Sequence, residues 1–550
     1  MTAADSVDLV TKQIVWNRLT AIVEEQAQVL QSTAFSTIVR ESGDLAAGVF
    51  DARGRMLAQA VTGTPGHVNS MALAVGHVIA HYPLHDMRPG DVFIHNDPWM
   101  GTGHTNDISV TTPCFLDGKL VAIFACNSHI MDIGGPIDRV SSTDVFMEGL
   151  YLPIVKIVDA GVMNEALMAV IRANTRQPVE TVGDVYSLIN CNAIGGKRLA
   201  ETMREFGLDR LDAISDYIIE TSREAVLREI AKLPKGTWHG ELTLDGNNEP
   251  IHLKAALTIS DTGIHVDYTG SPPMTKRNYN VPLCYTLAYT SYAIGCVVAK
   301  DIPNNHGSLE PRTISAPEGS IVNALKPAAV LARAQIGLML PDLIFNCLRQ
   351  AVPHRVPAEN TGVLWSLRAK GPRSSPPRLD DHYLVQLVTT GGMGALPSRD
   401  GMSATGFPSG VRGGPVEVFE SLSTIIVWQK EYRIDSGGAG KTRGGLGQHI
   451  ELQSLLDESF LYNAVYERVD NPPRGYDGGQ NGAAGRLLLG SGAKIAAKGA
   501  HIIPPGERVV VLSPGGGGLG DPKTRDRALV LADLRDGMIS AEAAKDIYGL

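Results

Sequence analysis

Paired cysteines, surplus positive charge and long apolar runs are all missing from this 550-residue sequence. Each absence removes a class of protein. The cysteines at 114, 126, 191, 284, 296 and 347 are widely spaced and form no CxxC pair. That argues against a cysteine zinc site and a thioredoxin-like centre. The spacing suits buried free thiols in a reducing cytosol, and a cytoplasmic protein is expected. Acidic residues outnumber basic ones 58 to 49, giving a formal net charge of -9. Nucleic acid is therefore not expected as a partner, because phosphate binding needs a basic surface. No run reaches 18 apolar residues, so no membrane span is expected. The opening MTAADSVDLVTKQIVWNRL has neither a basic start nor a long apolar run, so no secretion leader is expected.

What is present is size, apolar content and glycine. The length suggests roughly two to four domains. Hydrophobic residues make up 43% of the chain, enough for a large core. The 59 glycines predict many tight turns and close backbone approaches.

Hydrophobic periodicity divides the chain into four regions. Residues 1–160 read as an α+β region. It has a helix over 8–36, a hairpin over 45–60, a helix over 67–81 and strands at 91–95, 108–116 and 119–128. Residues 161–235 read as helical. Residues 236–375 combine a strand meander (237–272) with buried helices at 282–299 and 334–351. Residues 376–550 read as short strands and glycine-rich turns, closed by a helical pair. The expected class is α+β, multi-domain, with helix-rich and antiparallel strand-rich regions.

The chemistry concentrates in HNDPWMGTGHTNDISV (95–110) and NSHIMDIGG (127–135). Asp117-Gly118 is a strong hairpin turn between the two strands that follow the first motif. Antiparallel pairing then brings His104 and Asp107, entering one strand, beside His129, leaving the next. Two imidazoles and a carboxylate suit a divalent zinc, manganese or iron ion, so this N-terminal β-hairpin has two readings, a metal site or an HxxD pair that serves as turn caps and surface residues. Asp132 has two readings, an acceptor that orients a ligand imidazole or a cap before Gly134-Gly135. Asp44 is a further carboxylate whose place spacing does not fix. His67 lines the site or serves only the start of its helix. Asp97, in Asn96-Asp97-Pro98, reads as a turn residue.

The segment DSGGAGKT (435–442) nearly matches a phosphate-binding loop. Asp435 replaces the first required glycine, and Arg443-Gly444-Gly445-Leu446-Gly447 cannot open a stable helix. Without that helix end an anion site loses its dipole, so no ATP site is expected here. The run SPGGGGLGDP (513–522) reads as a backbone turn.

Taken in order, NRLTAIVEEQ, HNDPWMGTGHTNDISV, SHIMDIGG, EGLYLPIVKI, DSGGAGKTRGGLG, PGGGGLGDP and AEAAKDIYGL run over nearly the whole length. In these the chain resembles the hydantoinase B/oxoprolinase family. That family is related to the metal-bearing subunits of acetone and acetophenone carboxylases. The resemblance implies a metal held by His104, Asp107 and His129, with Asp44 joining the site as a fourth ligand or proton acceptor and Asp132 as a catalytic neighbour. It implies a hydantoinase A-type partner that uses ATP and Mg to phosphorylate a small cyclic amide, in a hetero-oligomer of two A-type and two B-type subunits (A2B2). The chain itself would complete ring opening. The other readings are a ketone carboxylase subunit and a non-catalytic scaffold. Leu331-Ala332-Arg333-Ala334 departs from the family pattern, which often has a glycine-asparagine pair there, so the substrate is not carried over.

Overall fold

In the computed structural model the apolar residues at three- and four-residue steps bury one stripe of a helix, Leu9–Thr33. Asp8 caps it by accepting from the backbone N–H of Val10 and Thr11. The structure describes residues 7–62, 64–138, 140–247, 249–378 and 380–550. Residues 1–6, part of the stretch over which no leader is expected, lie outside them.

The architecture is mixed α/β and multi-domain, with several antiparallel sheets. Strands are numbered in chain order. The first sheet holds β1 (Leu45–Asp51), β2 (Met56–Gln59), β3 (Val92–His95), β4 (Asp107–Leu116), β5 (Lys119–His129), β6 (Val155–Asp159) and β7 (Val162–Met163). Their spatial order is β2-β1-β5-β4-β3-β6-β7. Asp117 and Gly118 both take positive φ, 49° and 77°, at the tight turn between β4 and β5. The β4/β5 hairpin is the spine of this sheet. The helices Leu9–Thr33 and Pro178–Glu205 cover one face, burying Ile108, Val110, Phe124 and Cys126. The helix Pro65–His81 covers part of the other face, against Ile123 and Ala125. A sheet buried on both sides explains why its strands read as near-continuous apolar runs.

The second sheet contains β8 (Gly236–Leu244), β9 (Ile251–Ile259), β10 (Ile264–Asp267) and β11 (Arg312–Ser315), in the order β11-β10-β9-β8. The expected meander is there, and β11 adds to it in parallel with β10. One expectation needs correction. Residues 334–351 are two helices, Ala334–Gly337 and Leu340–Ala351, not one. Pro341 has no backbone N–H to continue the ladder, so it opens the second helix instead of extending the first.

The third sheet has the order β13-β12-β16-β18, from β12 (Leu367–Pro372), β13 (His382–Leu387), β16 (Phe460–Val465) and β18 (Lys498–Ile503). The fourth is β14-β15-β19-β17, from β14 (Ile425–Tyr432), β15 (Gln448–Ser454), β17 (Arg486–Leu489) and β19 (Arg508–Leu512). Between these strands the glycine-rich segments lie backbone on backbone. Gly438 N–H donates to the Gly516 carbonyl at 2.8 Å, Lys441 N–H to Gly520 at 3.1 Å and Thr442 N–H to Leu519 at 3.0 Å. These three amides of the loop are spent on protein carbonyls, and no helix follows them. Among the described residues, no helix is long and apolar enough to cross a membrane.

Candidate metal centre

Register builds the site. Asp107 and His129 are directly paired residues at the open end of the β4/β5 hairpin. Ile130 N–H donates to the Asn106 carbonyl at 2.7 Å, and Asn106 Nδ2 donates back to the Ile130 carbonyl at 3.1 Å. The two chain ends are thereby tied together. On the other side β1 pairs with β5, and His129 N–H donates to the Asp44 carbonyl at 3.1 Å. Gly103, with φ 90°, turns the loop so that His104 points inward. The first turn of the helix Pro65–His81 adds His67, whose carbonyl accepts from Asn127 Nδ2 at 3.2 Å.

Asp107 is fully buried and its two oxygens have different work. Oδ2 receives three donors: His67 Nε2 at 2.7 Å, Thr102 Oγ1 at 2.6 Å and Arg333 Nη2 at 2.7 Å. Oδ1 faces His129 Nδ1 at 3.0 Å and His104 Nε2 at 2.6 Å. The His104 approach is off the hydrogen-bond line, so both ring nitrogens of this buried imidazole lack a hydrogen-bond partner. The ligand atoms of His104, Asp107 and His129 all lie within 4.8 Å of one another. Two donors about 2.1 Å from one ion, at right angles about it, stand roughly 3 Å apart. The spacing and the orphaned imidazole both fit a divalent cation, and the N₂O donor set suits a transition metal.

Electrostatics sort the protonation states. Burial pushes the Asp107 carboxyl up, but the charges of His67 and Arg333 outweigh it and hold it well below the usual range. Burial, then Arg333, pushes His104 well below the ordinary imidazole value, leaving the neutral form that ligates. Burial also opposes charge on His67, but Asp107 and Asp44 win and raise it. His67 lies between those two carboxylates, with Nδ1 3.5 Å from Asp44 Oδ1. Thr64 Oγ1 donates to the same Asp44 oxygen at 2.9 Å.

These groups line a cavity of about 130 Å³. An apolar cavity of about 150 Å³ holds a benzene ring, so the space is of single-ring size. Of the residues singled out in the sequence, His104, Asp107, His129, Asp44 and His67 line it together. Asp132 is outside this lining. Its carboxylate is taken by the Arg176 guanidinium and backbone N–H, and by Thr175 Oγ1 at 3.2 Å. Asp97 closes a turn, accepting from Trp99 N–H at 2.9 Å.

Two arginines were not singled out by residue type or spacing. Arg333 reaches Asp107 across 226 positions of sequence and stacks 4.0 Å over the Tyr285 ring. Its only mark in the sequence is that it departs from the family pattern. Arg368, on β12, lines the same cavity.

A family model for hydantoinase B/oxoprolinase matches residues 8–522. A chain of Pseudomonas sp. (strain NS671), provisionally named as the B component of a D-/L-hydantoinase, is 29% identical, over 99% of this chain and 95% of that one. The crystal structure of the ATP-dependent caprolactamase from Pseudomonas jessenii superposes with a TM-score of 0.91 at 27% identity, covering 99% and 96% of the two chains. Nucleotide-free acetone carboxylase shares the fold, with a TM-score of 0.85 at 19% identity over 98% of this chain and 79% of that one.

Proposed function

The chain belongs to the hydantoinase B/oxoprolinase family, and on that premise we propose that it is the metal-dependent subunit of an ATP-dependent cyclic amide hydrolase. Its partner is an A-type subunit that spends ATP and Mg to phosphorylate the amide oxygen. The observation that carries the proposal is the convergence of His104, Asp107 and His129 on one ring-sized cavity.

An unstrained amide is a poor electrophile, and phosphorylation of its oxygen opens its carbon to attack by water. The adduct breaks its C–N bond as the ring nitrogen takes a proton and leaves as the amine, and a second water cleaves the resulting acyl phosphate to carboxylate and phosphate. His104, Asp107 and His129 would hold a zinc, manganese or iron ion. Such an ion supplies Lewis acidity, lowering the pKa of water to about 7 from roughly 15.7. The chain's own groups prepare the rest. Arg333, His67 and Thr102 fix Asp107 through Oδ2 and leave Oδ1 turned to the imidazoles. Asp44, in the cavity wall, is the group to accept a proton from the attacking water, with the His67 imidazole behind it to balance its charge. Asp132, bound to Arg176, holds the backbone that follows His129 and acts on the site through position.

The test is to purify both subunits, supply ATP with a panel of hydantoins and lactams, and measure ring opening and phosphate release together. Coupled release that stops on chelation, and that needs both subunits, is the expected result. ATP-independent turnover by this chain alone would overturn the division of labour.

A further inference from the structure

On β12, Arg368 is flanked directly by Gln386 of β13 and Asn463 of β16. Direct cross-strand neighbours project from the same face of a sheet. All three line the cavity that holds His104, Asp107 and His129. One wall of the cavity is therefore the β4/β5 hairpin, and another is a polar row across the third sheet.

Arg368 is buried, at 7% exposure, yet its guanidinium is largely unpaired. Nη2 donates to the Met131 carbonyl at 3.3 Å, while Nε and Nη1 have no hydrogen-bond partner. A guanidinium carries five N–H donors in a rigid fork that matches carboxylate or phosphate. Asp132 acts on it electrostatically, but Arg176 and Thr175 already take that carboxylate. The carboxylates in the lining are also engaged, Asp44 by Thr64 and His67, and Asp107 by His67, Thr102 and Arg333. Gln386 Oε1 is a further buried atom with no partner. A buried charge with no ion-pair partner in contact is costly to fold around, and its retention points to a ligand that pairs with it. Burial pushes Arg368 down to about 10, which still leaves it charged at neutral pH.

We propose that Arg368 is the anion receptor of the cavity, taking an oxyanion carried by the substrate on the wall formed by Gln386, Arg368 and Asn463. The inference rests on the cyclic amide reading and narrows it to substrates that are anionic when they reach this chain. Carboxylate and phosphoryl share the chemistry that Arg368 recognises. The first would belong to the ring itself, the second to the activating step.

The test has a binding arm and a turnover arm. Inorganic phosphate and acetate are titrated calorimetrically into chelator-treated protein, as wild type, Arg368→Met and Arg368→Lys. Wild type should bind at least one of the two anions, Arg368→Met should lose tenfold or more in that affinity, and Arg368→Lys should recover part of it. Because Arg368→Met removes an unpaired charge, it should melt at or above the wild-type temperature, whereas loss of a purely structural arginine would lower it. In the complex with its partner, kcat/KM is compared for a neutral lactam and one bearing a ring carboxylate. Equal loss on both in Arg368→Met assigns the receptor to the phosphoryl group. Loss confined to the acidic lactam assigns it to the ring carboxylate. Wild type that binds neither anion, or unchanged affinity and turnover in Arg368→Met, overturns the proposal. A complex inert toward every cyclic amide would end the hydrolase reading, with the titrations still deciding the role of Arg368.

Discussion

Asp107 and His129 are direct cross-strand partners, and His129 Nδ1 stands 3.0 Å from Asp107 Oδ1. Backbone pairing, not side-chain chemistry, sets that distance. Either imidazole can therefore be removed without dismantling the hairpin. His104→Ala and His129→Ala should each bring the metal content of the purified chain close to zero, while far-ultraviolet circular dichroism stays that of wild type. His67→Gln loses a neighbour that orients Asp107, and metal affinity should fall about 10- to 100-fold. Elemental analysis and a competitive chelator titration measure both. Metal retained at wild-type affinity in both alanine variants would remove the proposed ligand set.

Arg333 and Asp107 form a fully buried ion pair at 2.7 Å. Removing one partner of such a pair strands the other charge, at a typical cost of about 3–5 kcal/mol. Arg333→Met should therefore lower the melting temperature of chelated protein. A divalent ion would replace part of the missing positive charge, so added metal should restore more stability to the variant than to wild type. Thermal melts with and without metal make the comparison. An equal metal response in both proteins would show that Asp107 does not feel the ion.

These two pairs also show what the sequence could disclose. Asp117-Gly118 closes the hairpin with Leu116 opposite Lys119, a register that by itself would set Asp107 opposite Ser128, and a β-bulge between Cys114 and Phe115 shifts the pairing by one residue to bring Asp107 opposite His129. Local turn chemistry and strand periodicity bring the two segments together, but the one-residue shift at the bulge is not written in the turn. Asp44 needed the pairing of β1 with β5, a contact between two hairpins that no local pattern encodes. Arg333 and Arg368 come from the second half of the chain, and nothing in their neighbourhood announces which cavity they enter. The break between Ala334–Gly337 and Leu340–Ala351 was written in Pro341, but the apolar run around it masked the signal.

Glu467 gives a pH-dependent stability unrelated to the candidate metal centre. Its carboxyl is fully buried, accepts from Lys498 Nζ at 2.6 Å and from Asp245 N–H at 2.7 Å, and is pushed up to about 7. Burial is the main cause, Asp245 adds to it, and Lys498 only partly opposes. An unfolded glutamate titrates near 4.3, so between that value and about 7 the folded chain holds a proton that the unfolded chain has released. This stabilisation is fully present below about pH 4.3 and is lost as pH rises through about 7, a difference on the order of 3 kcal/mol. Glu467→Gln cannot titrate, so its stability relative to wild type should rise across that window and level off above it. Melting curves at half-unit steps from pH 4.5 to 8 test this. A constant gap between the two proteins would mean that Glu467 is ionised throughout.

The glycine-rich segments separate a structural role from a nucleotide-binding one. A Cβ on Gly516 would overlap the Met393 carbonyl oxygen, and a Cβ on Gly444 would overlap the Gly516 carbonyl oxygen. Both obstacles are backbone held by hydrogen bonds, so neither can yield as a side chain would. Gly516→Ala and Gly444→Ala should sharply lower soluble yield and melting temperature, as overpacking of a close-packed interior does, by about 1–3 kcal/mol or more. Lys441 occupies the position of a phosphate-loop lysine but is exposed, and no helix follows it. Lys441→Ala should leave the fold, ATP consumption by the complex and ring opening within about twofold of wild type. Phosphate release that collapses in Lys441→Ala, with its melting temperature unchanged, would mean that this loop touches nucleotide after all.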